Sequence, residues 1–205
     1  MSTQWLDWAK QIQALAQSGL AFSRDIYDIE RYEELRKISV EIMSEYTDLE
    51  IHRIESLFTN ETGYQTPKVD VRGVVFKNDQ ILMVKENIDG KWALPGGFCD
   101  IGLSPSENVV KEIKEESGFD VIPVKLIALL DKNKHPHPPD PYHYYKVFIM
   151  CEIIGGEPAV GPETNQVEFF TKNNLPPLSM NRNTESQITT MFEFLRDPKK
   201  KTVFD

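Results

Sequence analysis

Apolar residues recur at helical spacing through the first part of the chain and at strand spacing after it. Trp5, Trp8, Ile12, Leu15 and Ala16 form one series, and Ile26, Ile29, Tyr32, Leu35 and Ile38 a second. Both fit the period of an amphipathic helix. A third helical segment is expected over Leu49–Phe58, carrying Ile51, Ile54, Leu57 and Phe58. Asn60-Glu61-Thr62-Gly63 supplies turn chemistry and Pro67 begins an extended run. The pattern therefore predicts a small all-helical N-terminal domain over 1–63 and a second domain over 64–205.

The second domain reads as strands punctuated by two helices. Val69–Phe76, a Lys77-Asn78-Asp79-Gln80 turn and Ile81–Val84 predict a hairpin. Further strands are expected over Val121–Leu130, Lys146–Ile154 and Val167–Phe170, and helices over Pro105–Ser117 and Thr184–Arg196. That mixture predicts an α/β (α+β) sandwich with a mixed β-sheet between helices. The N-terminal apolar faces either pack on this domain or form a subunit interface, and a homodimer is the expected assembly.

Charge and composition narrow the function classes. No run approaches the roughly 20 apolar residues of a membrane span. Asp7 and Lys10 interrupt any signal-peptide-like run, so a cytoplasmic protein without a membrane partner is expected. Cys99 and Cys151 are the two cysteines; reduced thiols fit a reducing compartment better than a bridge, and neither has a zinc-ligand spacing. The net charge of −9 disfavours non-specific attraction to nucleic acid. It leaves room for an anionic small substrate, because a divalent cation inverts the field of a carboxylate cluster.

The informative chemistry lies in Leu94-Pro95-Gly96-Gly97-Phe98-Cys99-Asp100-Ile101-Gly102-Leu103, which runs into the helix beginning at Pro105. Ser104 can cap that helix, Glu107 completes a capping box, Pro105 suits its first position and Gly118 its end. Val109, Val110 and Ile113 form its apolar face, while Glu112, Glu115 and Glu116 fall at i, i+3 and i+4. An acidic helix face is ordinarily just solvated; directly after a glycine loop, hard carboxylate oxygens suit magnesium shared with substrate phosphates.

This segment resembles a Nudix box: a glycine, five residues, a glutamate, seven residues, then Arg-Glu-aliphatic-x-Glu-Glu-x-Gly-aliphatic. Gly97, Glu112, Ile113, Glu115, Glu116 and Gly118 are in register, with Phe119 at the last apolar place. Leu103 stands where the first glutamate is expected and Lys111 where the arginine is. If those two residues normally pair, losing the acid makes a full guanidinium less necessary. Over the whole chain the sequence is similar to a bacterial branch with a helical N-terminal extension, resembling CDP-choline and ADP-ribose pyrophosphatases. The resemblance implies Mg2+-dependent hydrolysis of the diphosphate bridge of a small nucleotide substrate, with Mn2+ as a substitute. It assigns the metal to Glu112, Glu115, Glu116 and the Gly96 carbonyl. Those glutamates, together with Glu163 as base or extra ligand, form the catalytic set; Glu157 and Glu168 stand behind Glu163 and read more readily as surface residues.

Substrate contacts are assigned to Arg72, Asp100, Lys134 and His135, the last two in a long loop rich in His, Tyr and Pro. Against these stand a sheet-edge ion pair for Arg72 and a loop-shaping role for Asp100. The loop's histidines also raise a metal-site alternative, against ordinary hydrogen-bonding histidines. Trp92 reads as core, Cys99 as packing, and Lys199-Lys200-Lys201 as a solvated tail. Two other functions compete with diphosphate cleavage: RNA processing, through a basic stripe of Lys132, Lys134 and Lys146, and a non-catalytic nucleotide-binding module, suggested by Leu103 and Lys111.

Overall fold

A computed structural model describes residues 4–47, 54 and 62–205. It divides into two compact units, residues 1–67 with 139–142, and residues 68–138 with 143–205.

In the first unit, α1 (Gln4–Phe22) and α2 (Ile26–Glu45) pack against each other. Asp25 caps α2 by accepting from the amides of Tyr27 and Asp28, which satisfies donors that a helix start leaves open. The helices approach closely where Gly19 meets the Tyr32 ring; a Cβ there would lie 2.4 Å from it. Ser39 Oγ donates to the Ala9 carbonyl at 2.9 Å. The buried stripe of α1 is Leu6, Ala9, Gln13, Ala16 and Gln17, offset from the series its large apolar residues predict. Trp8 and Leu15 are 55% and 68% exposed. On α2 the buried residues are Ser39, Val40 and Met43, while Ile26 is exposed. Hydrophobic size did not choose the face; close helix contact did, and small residues permit it. The third helical segment lies outside the described residues except for Ile54, which is buried.

The second unit is built on a seven-stranded mixed sheet. Its strands are β1 (Lys68–Lys77), β2 (Gln80–Glu86), β3 (Trp92–Ala93), β4 (Phe119–Asp131), β5 (Tyr144–Gly156), β6 (Thr164–Thr171) and β7 (Val203–Phe204). The order is β3-β2-β1-β5-β4-β7, with β6 on β2. β1–β5 and β4–β7 are parallel and the other pairs antiparallel. The β1–β2 turn has Asn78 and Asp79 at φ 51° and 58°, the two positive values of a type I′ hairpin turn.

Helix α3 (Pro105–Ser117) covers one face of the sheet, where Val109 and Ile113 join Val71, Val75, Leu82 and Val147. Helix α4 (Glu185–Arg196) covers the other, where Ile188, Met191 and Phe192 join Val74, Ile81, Met83 and Phe148. Gly73 lets α3 sit close to β1, since a Cβ there would strike Ile113 Cδ1 at 2.4 Å. The expected solvated tail is instead tied down. Lys200 pairs with Glu193 at 2.7 Å, Lys125 holds the Pro198 and Lys200 carbonyls, and Val203 and Phe204 add to β4. Among the described residues no helix is long and apolar enough to cross a membrane. Both cysteines are free, and burial pushes the Cys151 thiol up to about 12.

Candidate active site

The glycine loop is held to β1 almost as an extra strand. Gly73 N–H donates to Pro95 O at 2.8 Å, Val71 N–H to Gly97 O at 2.9 Å, and Cys99 N–H to Val69 O at 3.0 Å. This alignment leaves no room for a side chain at Gly96, where φ is 143° and a Cβ would lie 2.0 Å from the Val71 carbonyl. At Gly97 a Cβ would meet Glu112 Oε2 at 2.9 Å. The two glycines therefore let the loop backbone lie between β1 and the α3 carboxylates.

The far end of the loop is fixed by local chemistry. Ser104 and Glu107 form the capping box at the start of α3, and Gly118 ends the helix at φ 78°. Asn108, fully buried, accepts from Asp100 N–H at 2.8 Å and donates to the Leu103 and Ser104 carbonyls at 3.2 and 3.1 Å. This residue has no place in the box pattern, yet one amide group pins the turn between loop and helix.

The three glutamates of α3 differ in setting. Glu116 is buried and accepts from Gly96 N–H at 2.8 Å. Burial pushes its carboxyl up to about 7, with Glu86 and Glu112 adding repulsion while Arg72 and the Gly96 N–H pull the other way. Glu112 is largely covered and its carboxyl is also raised, first by burial. Glu115 is half-exposed. Lys111 runs between acids, with Nζ 3.2 Å from Asp100, 3.1 Å from Glu115 and 3.8 Å from Glu112. Hydrogen bonds to Glu115 and Asp100 hold its ammonium firmly protonated.

Glu163 is brought to this helix by the loop before β6. Ala159 N–H donates to Ser117 O at 2.9 Å, and Thr164 Oγ donates to Glu116 O at 3.0 Å. A Cβ on Gly161 would lie 2.2 Å from Glu115 O. Glu163 is exposed, its carbonyl accepts from Asn87 N–H at 2.9 Å, and its charge adds to the repulsion on Glu112. Glu157 shares that loop and Glu168 lies on β6; both are exposed.

Arg72 departs from its expected role. It lies on an interior strand, is wholly buried, and grips Asp70 with Nε and Nη2 at 2.9 and 2.8 Å. Its Nη1 donates to Leu94 O at 3.1 Å. It is thus neither at a sheet edge nor open to an incoming phosphate, and its charge falls on Glu116 and Glu86 from inside. Lys146, opposite Asp70 in the parallel β1–β5 register, adds a bond at 3.2 Å. Burial alone would raise the Asp70 carboxyl, but the two cations outweigh it and hold it at about 2. Burial draws Lys146 down to about 8.

The basic stripe is dismantled for the same reason. Lys132 is buried with Nζ 4.8 Å from the Tyr144 ring centre, Lys146 is buried, and of the three only Lys134 is exposed. His135 lies 3.1 Å from Asp205 and His143 3.0 Å from Asp131. His137 is held between Met180 O and Gln187, and burial pulls it down to about 4. Asp100, at the exposed loop, is engaged by Lys111. Trp92 is buried and packs edge-on to Phe170 at 4.7 Å.

Besides Asn108, Glu86 went unmarked in the sequence. Glu86 is buried at the end of β2, 3.5 Å from Arg182, and its charge acts on both Glu116 and Arg72. Parity with Leu82 and Val84 hinted at an inward position, but a bulge at Lys85/Glu86 breaks the alternation there. Among the described residues no group of three or more His, Cys, Asp and Glu side chains is already arranged to hold a metal ion. The donor chemistry nonetheless fits a hard divalent cation. Glu112 and Glu116 carry raised carboxyls in a mutually repelling set, and Lys111 supplies the only close ammonium among the described contacts.

Comparison with known proteins identifies the family. Residues 66–192 match the NUDIX domain, and residues 3–58 match a family described as UDP-X-like, N-terminal oligomerisation domain. The chain belongs to the Nudix hydrolase family, whose members are typically dependent on a divalent metal. It is 58% identical over 205 residues to YjhB of Bacillus subtilis, a provisionally named ADP-ribose pyrophosphatase, covering 100% of this chain and 99% of that one. A solved ADP-ribose pyrophosphatase of Streptococcus suis shares 45% identity, with TM-score 0.63 over 68% of this chain and 100% of that one. A solved UDP-X diphosphatase shares 30%, with TM-score 0.64 over 99% of this chain and 98% of its own.

Proposed function

We propose that this enzyme hydrolyses the diphosphate bridge of ADP-ribose, giving AMP and ribose 5-phosphate. The observation that carries the reading is the buried Glu116 carboxylate, locked to Gly96 and surrounded by Glu86 and Glu112. Such a crowd of acids is costly without a cation and useful with one. A divalent ion, Mg2+ or Mn2+, held by Glu112, Glu115, Glu116 and the Gly96 carbonyl would polarise the phosphoryl oxygens and activate water. The loop backbone fixes the Gly96 carbonyl, and the capped helix fixes the glutamates. Glu163 takes the proton from the attacking water. One water adds across the P–O–P bridge, and the bridging oxygen leaves with one phosphate.

The names of the Bacillus and Streptococcus relatives favour ADP-ribose over CDP-choline and UDP-linked compounds. The test offers ADP-ribose, CDP-choline and a UDP-sugar with Mg2+ and identifies the products. Preferred turnover of ADP-ribose to AMP supports the reading, and its absence while another compound is split overturns the substrate assignment.

The helical unit is proposed to make the enzyme a homodimer. Trp8, Leu15 and Phe22 fall seven residues apart on α1, each more than half exposed, and such a stripe suits burial against a second copy.

A further inference from the structure

The box position normally filled by glutamate is Leu103, yet the ammonium of Lys111 has an acid from the same loop beside it. That acid is Asp100, three residues earlier, at 3.2 Å. We propose that Asp100 is a positioning residue: in place of the missing glutamate it shares the Lys111 ammonium with Glu115 and Glu112, and so loosens its hold on the α3 carboxylates. The inference rests on the proposed role of Glu112 and Glu115 in holding a cation.

Three features carry it. Lys111 Nζ is shared by Asp100, Glu115 and Glu112 at 3.2, 3.1 and 3.8 Å, with Glu112 the most distant. An ammonium is a compact point charge with three donors and no fixed fork, so its place among these acids depends on which of them is held still. The Asp100 backbone is fixed, because its N–H donates to the buried Asn108, and its carboxylate is therefore tethered beside Lys111. Without that anchor the two helix acids have the ammonium to themselves, and it competes with a divalent ion for their oxygens. Leu103 and Lys111 also line one surface groove with Val110 and Ile154. A carboxylate restored at 103 would open onto the space that Lys111 occupies.

The experiment titrates Mn2+ into the full chain without substrate and reads free Mn2+ by electron paramagnetic resonance. Asp100→Asn is expected to weaken binding about threefold to fivefold, the upper part of the range of an exposed ion pair. Asp100→Glu should bind as the parent does, and adding Leu103→Glu to Asp100→Asn should restore affinity. In a Lys111→Met background Asp100→Asn should change nothing, since the residue it restrains is gone. Equal weakening with and without Lys111, or no rescue by Leu103→Glu, overturns the anchor. Mn2+ affinity unchanged in Glu112→Gln and Glu116→Gln overturns the cation site itself, a result distinct from failure at Asp100 alone.

Discussion

The backbone N–H of Gly96 donates to Oε2 of Glu116 across 2.8 Å, joining the glycine loop to the last turn of α3. The bond satisfies one lone pair of a carboxylate that is otherwise buried beside Glu86 and Glu112. Loop and helix are thus set by a contact that offsets only part of what burial, Glu86 and Glu112 impose, and Glu116 is left short of positive charge.

The shortage has a pH signature in the metal-free protein. The Glu116 carboxyl is raised from 4.5 to about 7, so the fold favours its protonated form. That preference contributes fully below the unfolded value and is lost as pH rises through 7. The loss is on the order of 3 kcal/mol between these limits. Urea denaturation in EDTA should show the parent losing stability relative to Glu116→Gln from pH 4.5 to 7. Parallel profiles would contradict it.

Gly97→Ala should impair chemistry more than folding. The added Cβ would sit 2.9 Å from Glu112 Oε2, and the side-chain carboxylate can swing away. Displacing a reacting group by about an ångström can cost roughly a hundredfold, so kcat/KM should fall about ten- to a hundredfold with little change in Tm. Gly96→Ala, facing the immovable Val71 carbonyl, should lower Tm sharply as well.

Asp70→Asn should be the most destabilising of these changes. It strips the counter-charge from Arg72 and Lys146, both buried. Breaking a buried ion pair by removing one partner costs about 3–5 kcal/mol. Chemical denaturation reads this directly, and a change below about 1 kcal/mol would show that the network is not stabilising in this sense.

Leu15→Glu on α1 places a charge in the exposed Trp8–Leu15–Phe22 stripe. Sedimentation velocity should show a dimer becoming a monomer with each unit still folded. An unchanged dimer would move the interface elsewhere.

What the sequence disclosed was the local chemistry. Helix α3 was readable to the residue because Ser104, Pro105, Glu107 and Gly118 act within a few residues of one another. The strand hairpin was readable from its alternation and turn. Arg72 was not, because its partners depend on strand face and register: Asp70 lies two residues back and Lys146 comes from a parallel neighbour. The buried faces of α1 and α2 depend on how two helices meet, which kept Ala16 inside but favoured Leu6, Ala9 and Gln13 over Trp8 and Leu15. The terminal strand is likewise a non-local pairing with Ala128 and Leu129.

The most direct measurement is ADP-ribose turnover across a Mg2+ titration, in the parent and in Glu116→Gln, with products identified by mass. The expected result is Mg2+-dependent formation of AMP and ribose 5-phosphate, reduced about a hundredfold or more in the variant. Equal turnover in Glu116→Gln, or AMP formation indifferent to Mg2+, would contradict diphosphate hydrolysis at the α3 carboxylates.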